Sequence, residues 1–198
     1  MVVGVWTGPI ALAPPPCYDT VGVRIRPGCA AAFWRAAAHE LTDVVVDATA
    51  VLGAGAASLL DRLRNTSDDR QRVREVEAFL RRRMRQREHR VARSVDRLVA
   101  ARGHLSIDAL ARDAGVGQRW LERAFHEQVG VSPKTLSRIV RFQQVLAHPR
   151  ESGWADVAIA CGYADQSHLI RDFTQFAGET PRELLASQAA VADYFRRR

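Results

Sequence analysis

The chain has few cysteines, a single lysine and no long apolar run. Its three cysteines, Cys17, Cys29 and Cys161, are far apart and form no C-x-x-C pair. This disfavours a disulfide framework and a structural zinc site, and it fits a reducing cytoplasm. The apolar start, MVVGVWTGPIALAPPPC, has no Lys or Arg before Arg24 and is interrupted by Gly and Pro, so it predicts neither a signal peptide nor a membrane span. The six histidines show no ligand spacing, and no metal or other cofactor is expected.

Positive charge is concentrated in the later part of the chain. The net charge of +7 divides into −1 over residues 1–70, +4 over 71–86 and +4 over 87–198. A basic C-terminal half suits a partner with a phosphate backbone, although the run RRRMRQREHR is also typical of a solvated helix. Lys134 is the single lysine among 29 basic residues, which indicates base-composition bias and weakens arginine abundance as evidence.

Residues 1–68 predict a small α+β region. Short strands are expected at VVGVW, IALA and VGVRIR, and helices at CAAAFWRAAAHEL and DATAVLGAGAASLLDRLRN. Three strands are too few to close a barrel around a ligand. Their open edges and the apolar helices favour a homodimer through residues 1–86, in which 69–86 form a charged helical linker.

Residues 87–187 predict an all-helical domain of about seven helices, followed by a tail over 188–198. Ser106 precedes the helical pattern IDALARDA, and Pro133 stands at the first position of PKTLSRIVRFQQVLAH. Thr180 and Glu183 have the spacing of a capping box. The predicted fold class is therefore mainly α, with a small α+β region in front.

This domain contains the same unit twice. Ala111, Gly115, Leu121 and Phe125 of the first copy correspond to Ala158, Gly162, Leu169 and Phe173 of the second. The alanines suit a close helix crossing, the glycines a turn with positive φ, and the Leu–Phe pairs an i,i+4 anchor. A helix, a glycine turn and a second helix make a helix-turn-helix unit. Gly-x-[Ser/Thr]-Pro follows both copies, and the second copy has one extra residue in its turn.

The second copy resembles the signature stretch of AraC/XylS-type transcription regulators, from A-x-x-C-G-Y-A-D-Q-S-H-L through R-D-F to G-E-T-P-R. The resemblance covers residues 87–187. It implies two helix-turn-helix units joined by a central helix at about 133–148, with recognition helices on one side of B-DNA, ~34 Å apart. Such regulators usually carry a sensor or dimerisation domain ahead of this one, so residues 1–68 are also interpreted as a truncated sensor.

The outward faces of the two recognition helices supply the candidate DNA contacts. They are Gln118, Arg119, Glu122 and Arg123 in the first copy, and Gln166, Ser167, His168 and Arg171 in the second. Arginine can bond guanine bidentately, glutamate can accept from cytosine and glutamine suits adenine. The first face is also compatible with a solvated Arg-Glu-Arg ladder, and His168 with packing. We expect more base discrimination from the first copy and more positioning from the second.

The sequence predicts a cytoplasmic, non-enzymatic regulator that binds double-stranded DNA sequence-specifically. RNA polymerase is a further candidate partner, the effector is undetermined and no membrane partner is expected. One alternative is alkyl transfer from damaged DNA to Cys17 or Cys29. It is disfavoured because such domains resemble four-cysteine zinc sites and only these two cysteines are available. The other alternative is an adaptor whose helix-turn-helix units hold proteins.

Overall fold

The computed structural model describes residues 1–10, 21–34, 36–85, 89–148, 153–184 and 186. This part of the chain is mainly α, as the sequence predicts. Its strands are β1 (Val2–Val3) and β2 (Val45–Val46). Its α-helices are α1 (Ala48–Leu52), α2 (Ala54–Arg64), α3 (Asp69–Arg83), α4 (His89–Ala100), α5 (Ile107–Ala114), α6 (Gln118–Gln128), α7 (Pro133–Ala147), α8 (Trp154–Ala160) and α9 (Gln166–Ala177). Residues 181–184 are again helical.

The chain divides into two compact units. The first consists of Met1–Val5, Leu12–Arg97 and Ile107–Pro133, and the second of Trp6–Ala11, Leu98–Ser106 and Lys134–Arg198. Each compact unit holds one copy of the repeat, with α5 and α6 in the first and α8 and α9 in the second. No helix in the described ranges combines the length and the apolar character needed to cross a membrane.

The N-terminal part of the first compact unit has a small core of its own. β1 pairs with β2 in antiparallel register, with Val2 opposite Val46. The buried side chains of α1, α2 and α3 form one cluster, made by Ala48, Ala56, Leu59 and Phe79. Gly53, at φ +70°, separates α1 from α2 within a stretch that the sequence predicts as one helix. The side chain of Asp68 caps α3 by accepting a hydrogen bond from the Arg70 amide at 3.0 Å.

Two local predictions in this region are wrong. The predicted helix over 29–41 contains, in its described residues, only the 3-10 turns Ala30–Ala32 and Ala38–Leu41. The predicted strand over 21–26 is irregular. Tertiary contacts override local propensity here. The Arg85 amide donates to the Ala32 carbonyl at 2.9 Å, and the turn at Gly28 lies against α4. The predicted strand IALA lies outside the described residues except for Ile10.

Residues 38–42 pack against the C-terminal end of α6. The Thr42 hydroxyl donates to the Gly130 carbonyl at 2.9 Å, and the rings of His39 and His126 stack with centroids 4.3 Å apart. Gly130, at φ +96°, has no room for a side chain, since a Cβ there would lie 2.7 Å from the Thr42 hydroxyl oxygen. The packing around the first copy therefore includes residues from the N-terminal region.

The second compact unit is built around α7, α8 and α9. Its core cluster consists of Val145, Val157, Ala158, Cys161, Tyr163, Leu169 and Phe173. Phe142 of α7 meets Phe173 of α9 edge to face, with centroids 5.1 Å apart. The Arg141 side chain donates to the Gly103 carbonyl at 3.1 Å, which fixes the turn after α4 against α7. This core sets the position of α9.

Candidate nucleic-acid interface

The first copy is two helices joined by a tight turn at Gly115. The Gly115 amide donates to the Arg112 carbonyl at 3.0 Å, and the Val116 amide to the Ala111 carbonyl at 3.1 Å. This pair of bonds is a Schellman motif, which needs a positive φ, and Gly115 has φ +66°. The predicted role of Gly115 as a turn glycine is confirmed. Three residues, 115–117, are enough to reverse the chain into α6.

The packing of α6 leaves one polar face in solvent. Leu121, Ala124 and Phe125 are buried, and the two larger side chains are completely inaccessible. The predicted contact residues Gln118, Arg119, Glu122 and Arg123 are all exposed. The structure therefore brings these four side chains together on the outer face of α6.

Gln118 is tied to the preceding helix. Its side-chain amide donates to the carboxylate of Asp108, in the first turn of α5. The bond fixes the orientation of the amide, and it leaves the carbonyl oxygen and the second N–H for an outside partner. Asp108 was missed from the sequence because a polar residue in the first turn of a helix is ordinary.

The second copy repeats the turn bond for bond. The Gly162 amide donates to the Ile159 carbonyl at 3.0 Å, and the Tyr163 amide to the Ala158 carbonyl at 2.9 Å. Gly162 has φ +75°. α9 starts at Gln166, so this connection has four residues from the glycine onward where the first copy has three. The extra residue predicted from the repeat thus lies after the shared pair of hydrogen bonds.

The extra residue changes how the recognition helix begins. Asp165 accepts a hydrogen bond from the His168 amide at 2.7 Å and caps α9, whereas Gly117 offers α6 no side-chain cap. The predicted capping box is also present, since Thr180 and Glu183 bond reciprocally. A carboxylate therefore stands at each of these two helix starts, where it disfavours a phosphate. At the start of α6 the N-cap Gly117 has no side chain to bond the amides, and the nearby carboxylate of Asp108 bonds the Gln118 side chain instead.

The outer face of α9 carries three of the four predicted contact residues. Gln166, Ser167 and Arg171 are exposed. His168 is half-buried, with its ring edge to face with Tyr163 at 5.2 Å and its Nε2 4.0 Å from Asp172 Oδ2. Ile170, which replaces Glu122 in the repeat, is partly buried against the core of the second compact unit. This face is smaller and less charged than that of α6.

A buried ion pair holds α9 against α7. Arg138 donates from Nε and Nη2 to Asp172 Oδ1, and its guanidinium also lies over the Phe176 ring. The sequence does contain a sign of this pair. Asp172 occupies a core position in the periodic series Leu169, Asp172, Phe173 and Phe176, all of which are buried. A charged residue at such a position needs a partner, but the sequence does not say which one.

The two cysteines that the structure describes, and one tyrosine, bear on the chemical reactivity of the chain. Burial raises the pKa of the Cys161 thiol, which makes it a poor nucleophile. Cys29 is a free, half-buried thiol, and Cys17 lies outside the described residues. Burial, and then the charge of Asp172, raise the pKa of Tyr163 to about 12.

In the described ranges, no three His, Cys, Asp or Glu side chains converge as metal ligands.

The comparison with known protein families agrees with this geometry. Residues 110–187 match the sequence model of a family described as "Helix-turn-helix domain". The match runs from α5 through α9 and therefore includes both copies. No curated protein matches the chain.

The fold and the family match define a helix-turn-helix domain over residues 110–187, which supports double-stranded DNA as a partner. The match supports a DNA-binding transcription regulator of the AraC/XylS type, with its helix-turn-helix domain in the C-terminal half.

Proposed function

We propose that the protein reads a specific DNA sequence with two recognition helices, α6 and α9, and that it has no enzymatic activity. The observation that carries this proposal is the repeated turn. In each copy the same two hydrogen bonds and a buried Leu–Phe pair hold a helix whose outer face is polar and exposed. We expect α6 and α9 to enter successive major-groove segments ~34 Å apart.

In the first segment, arginines dominate the proposed readout. Arg119 and Arg123 are spaced i,i+4 on the exposed face of α6, and each can bond the O6 and N7 atoms of a guanine. Glu122 lies between them and accepts from a cytosine amine or orients a neighbouring arginine. Gln118, with its amide held by Asp108, contributes its carbonyl oxygen.

In the second segment, the proposed contacts are fewer. Gln166 suits an adenine edge, and Ser167 a base or a phosphate. Arg171 occupies the position of Arg123 and is the main candidate for a base contact. His168 contacts Tyr163 on the flank of α9, so we assign it to positioning. The first copy then contributes more of the discrimination between base pairs, because the exposed face of α6 carries more charged residues than that of α9.

Selection of bound sequences from random duplexes, at a stated salt concentration, tests this function. The expected result is an asymmetric motif with two conserved segments about 10 base pairs apart. Binding to the selected site should weaken steeply with salt, because arginines displace counterions from the phosphates. An unenriched pool, or affinity indifferent to salt, would refute the proposal and favour a protein-binding adaptor.

We further propose a homodimer through residues 1–86. Its support is the two-stranded sheet, in which each strand has one strand partner among the described residues, because the edge strands of so small a sheet favour pairing with another chain. Light scattering at increasing protein concentration tests this association. A strict monomer at high concentration would contradict it.

A further inference from the structure

A small basic groove lies between α4 and α5. Its volume is about 210 Å³, and its lining includes Arg90, Arg93, Arg97 and Asp113 together with the buried residues Ser94 and Leu110. All of these residues belong to the first compact unit. The groove contains none of the eight predicted base-contact residues.

The spacing of the arginines on α4 explains why they converge. Residues 90, 93 and 97 follow an i, i+3, i+7 pattern, which places them along one face of a helix. The other face is apolar, with Val91, Val95 and Leu98 buried. All three arginine residues are exposed, so the groove is open to a ligand from solution.

The groove has an excess of positive charge. Asp113 is the single carboxylate in its lining, and it forms an ion pair with Arg97 at 2.5 Å. The lining therefore carries more guanidinium groups than carboxylates. Guanidinium groups present paired N–H donors that match the oxygens of a phosphate. The lining therefore suits a phosphate group rather than a cation or an apolar ligand.

We propose that this groove binds a backbone phosphate of the DNA, outside the base-reading faces. The inference rests on the proposed function. α5 forms one wall of the groove, and the first helix of a helix-turn-helix unit crosses the DNA backbone. The ligand chemistry is a phosphate ester, and a soluble phosphorylated compound is the other source that the test separates.

The first test removes the arginines singly. Arg90→Ala and Arg93→Ala are compared with Arg70→Ala, which removes one exposed positive charge at the start of α3. Affinity is measured for the selected duplex and for a random-sequence duplex over a range of salt. Each groove variant should weaken both duplexes by the same factor and lower the slope of log K against log salt by about 1. Arg70→Ala should leave the slope unchanged.

A second variant predicts a gain. Asp113→Asn removes the carboxylate that pairs with Arg97 and frees this guanidinium for phosphate. Both duplexes should then bind several-fold more tightly, with a steeper salt slope. If Asp113 has only a structural role, the variant should bind both duplexes with equal or lower affinity than the wild type. That result would overturn the assignment of the groove to a DNA phosphate.

The remaining outcomes are separable. If the wild-type protein selects no sequence and binds no duplex, the proposed function itself fails. If it binds DNA but Arg93→Ala behaves as Arg70→Ala does, only the groove assignment to DNA fails. The thermal unfolding temperature, measured with and without inorganic phosphate at constant ionic strength, then shows whether the groove binds a soluble phosphate compound instead. A stabilisation that Arg93→Ala abolishes supports a soluble phosphate ligand, and no stabilisation overturns the phosphate site.

Discussion

Arg138 and Asp172 form an ion pair in which two guanidinium nitrogens donate to one carboxylate oxygen, at 3.1 and 2.8 Å. The Asp172 side chain is 3% exposed and that of Arg138 is 24% exposed. The pair joins the long helix α7 to the recognition helix α9. Because Asp172 follows Arg171 directly, the contact that holds α9 also sets the rotation of this helix and hence the exposed face on which Arg171 lies.

Removing the arginine of this pair should destabilise the protein strongly. Arg138→Leu leaves the Asp172 carboxylate buried without its partner, and we expect the free energy of unfolding to fall by about 3–5 kcal/mol. Urea denaturation measures the change. Arg64→Leu, at the exposed pair with Asp61, is the control and should cost less than about 1 kcal/mol. Equal losses in the two variants would contradict the structural role of Asp172.

The two turn glycines should respond differently to alanine. Gly115→Ala meets no atom within 4 Å and bears only the cost of a positive φ, about 1–2 kcal/mol. Gly162→Ala bears that cost too, but its Cβ would lie 2.0 Å from Cε1 of His104. We expect it to lose at least about 1 kcal/mol more in urea denaturation. The additional loss should disappear in the His104→Ala background, and its persistence there would exclude the His104 ring as its cause.

Alanine substitution should separate base contacts from phosphate contacts on the recognition helices. Arg123→Ala and Arg171→Ala should each cost about 1–3 kcal/mol on the selected site, with relaxed preference at one position. The effect of Arg123→Ala on the selected motif should be the larger, since α6 has the larger charged face. Repeated selection with each variant measures this. A uniform loss on all sequences would reassign the arginine to the phosphate backbone.

Alkaline titration should reveal the buried tyrosine. Since the pKa of Tyr163 is raised to about 12, the folded protein keeps a proton there that the unfolded chain loses near its ordinary value of about 10. This contribution to stability is complete below pH ~10 and is lost as the pH rises through the folded pKa. The difference in absorbance at 295 nm between wild type and Tyr163→Phe should therefore titrate near the higher value. A difference curve centred near pH 10 would contradict the burial of this hydroxyl.

The sequence predicted the repeated copies well because their features are local. Glycine turns, caps and i,i+4 apolar pairs depend on residues close in the chain, and Gly115, Gly162 and the Thr180 box adopt the predicted conformations. The exposed positions on α6 follow from the same periodicity. Their contact with DNA remains a prediction.

The features that the sequence did not reveal depend on distant residues. Arg138 and Asp172 are 34 positions apart, and Thr42 bonds Gly130 across 88 positions. The strand register of Val2 with Val46 and the irregular path of residues 21–26 likewise depend on partners that local pattern does not specify. Periodicity shows that a position is buried, but not what it meets there.

The position of the extra residue divides the second turn into a fixed part and a variable part. The carbonyls of Ala158 and Ile159 and the amides of Gly162 and Tyr163 form the bonds that both copies share. Only residues between Tyr163 and the start of α9 differ in number from the first copy. Chain length can therefore change at residues 164–165 while the helix ahead of them ends as before, whereas one more residue between 158 and 162 would break the shared pair of hydrogen bonds. The number of residues in this short stretch therefore sets where α9 begins, independently of the turn that both copies share.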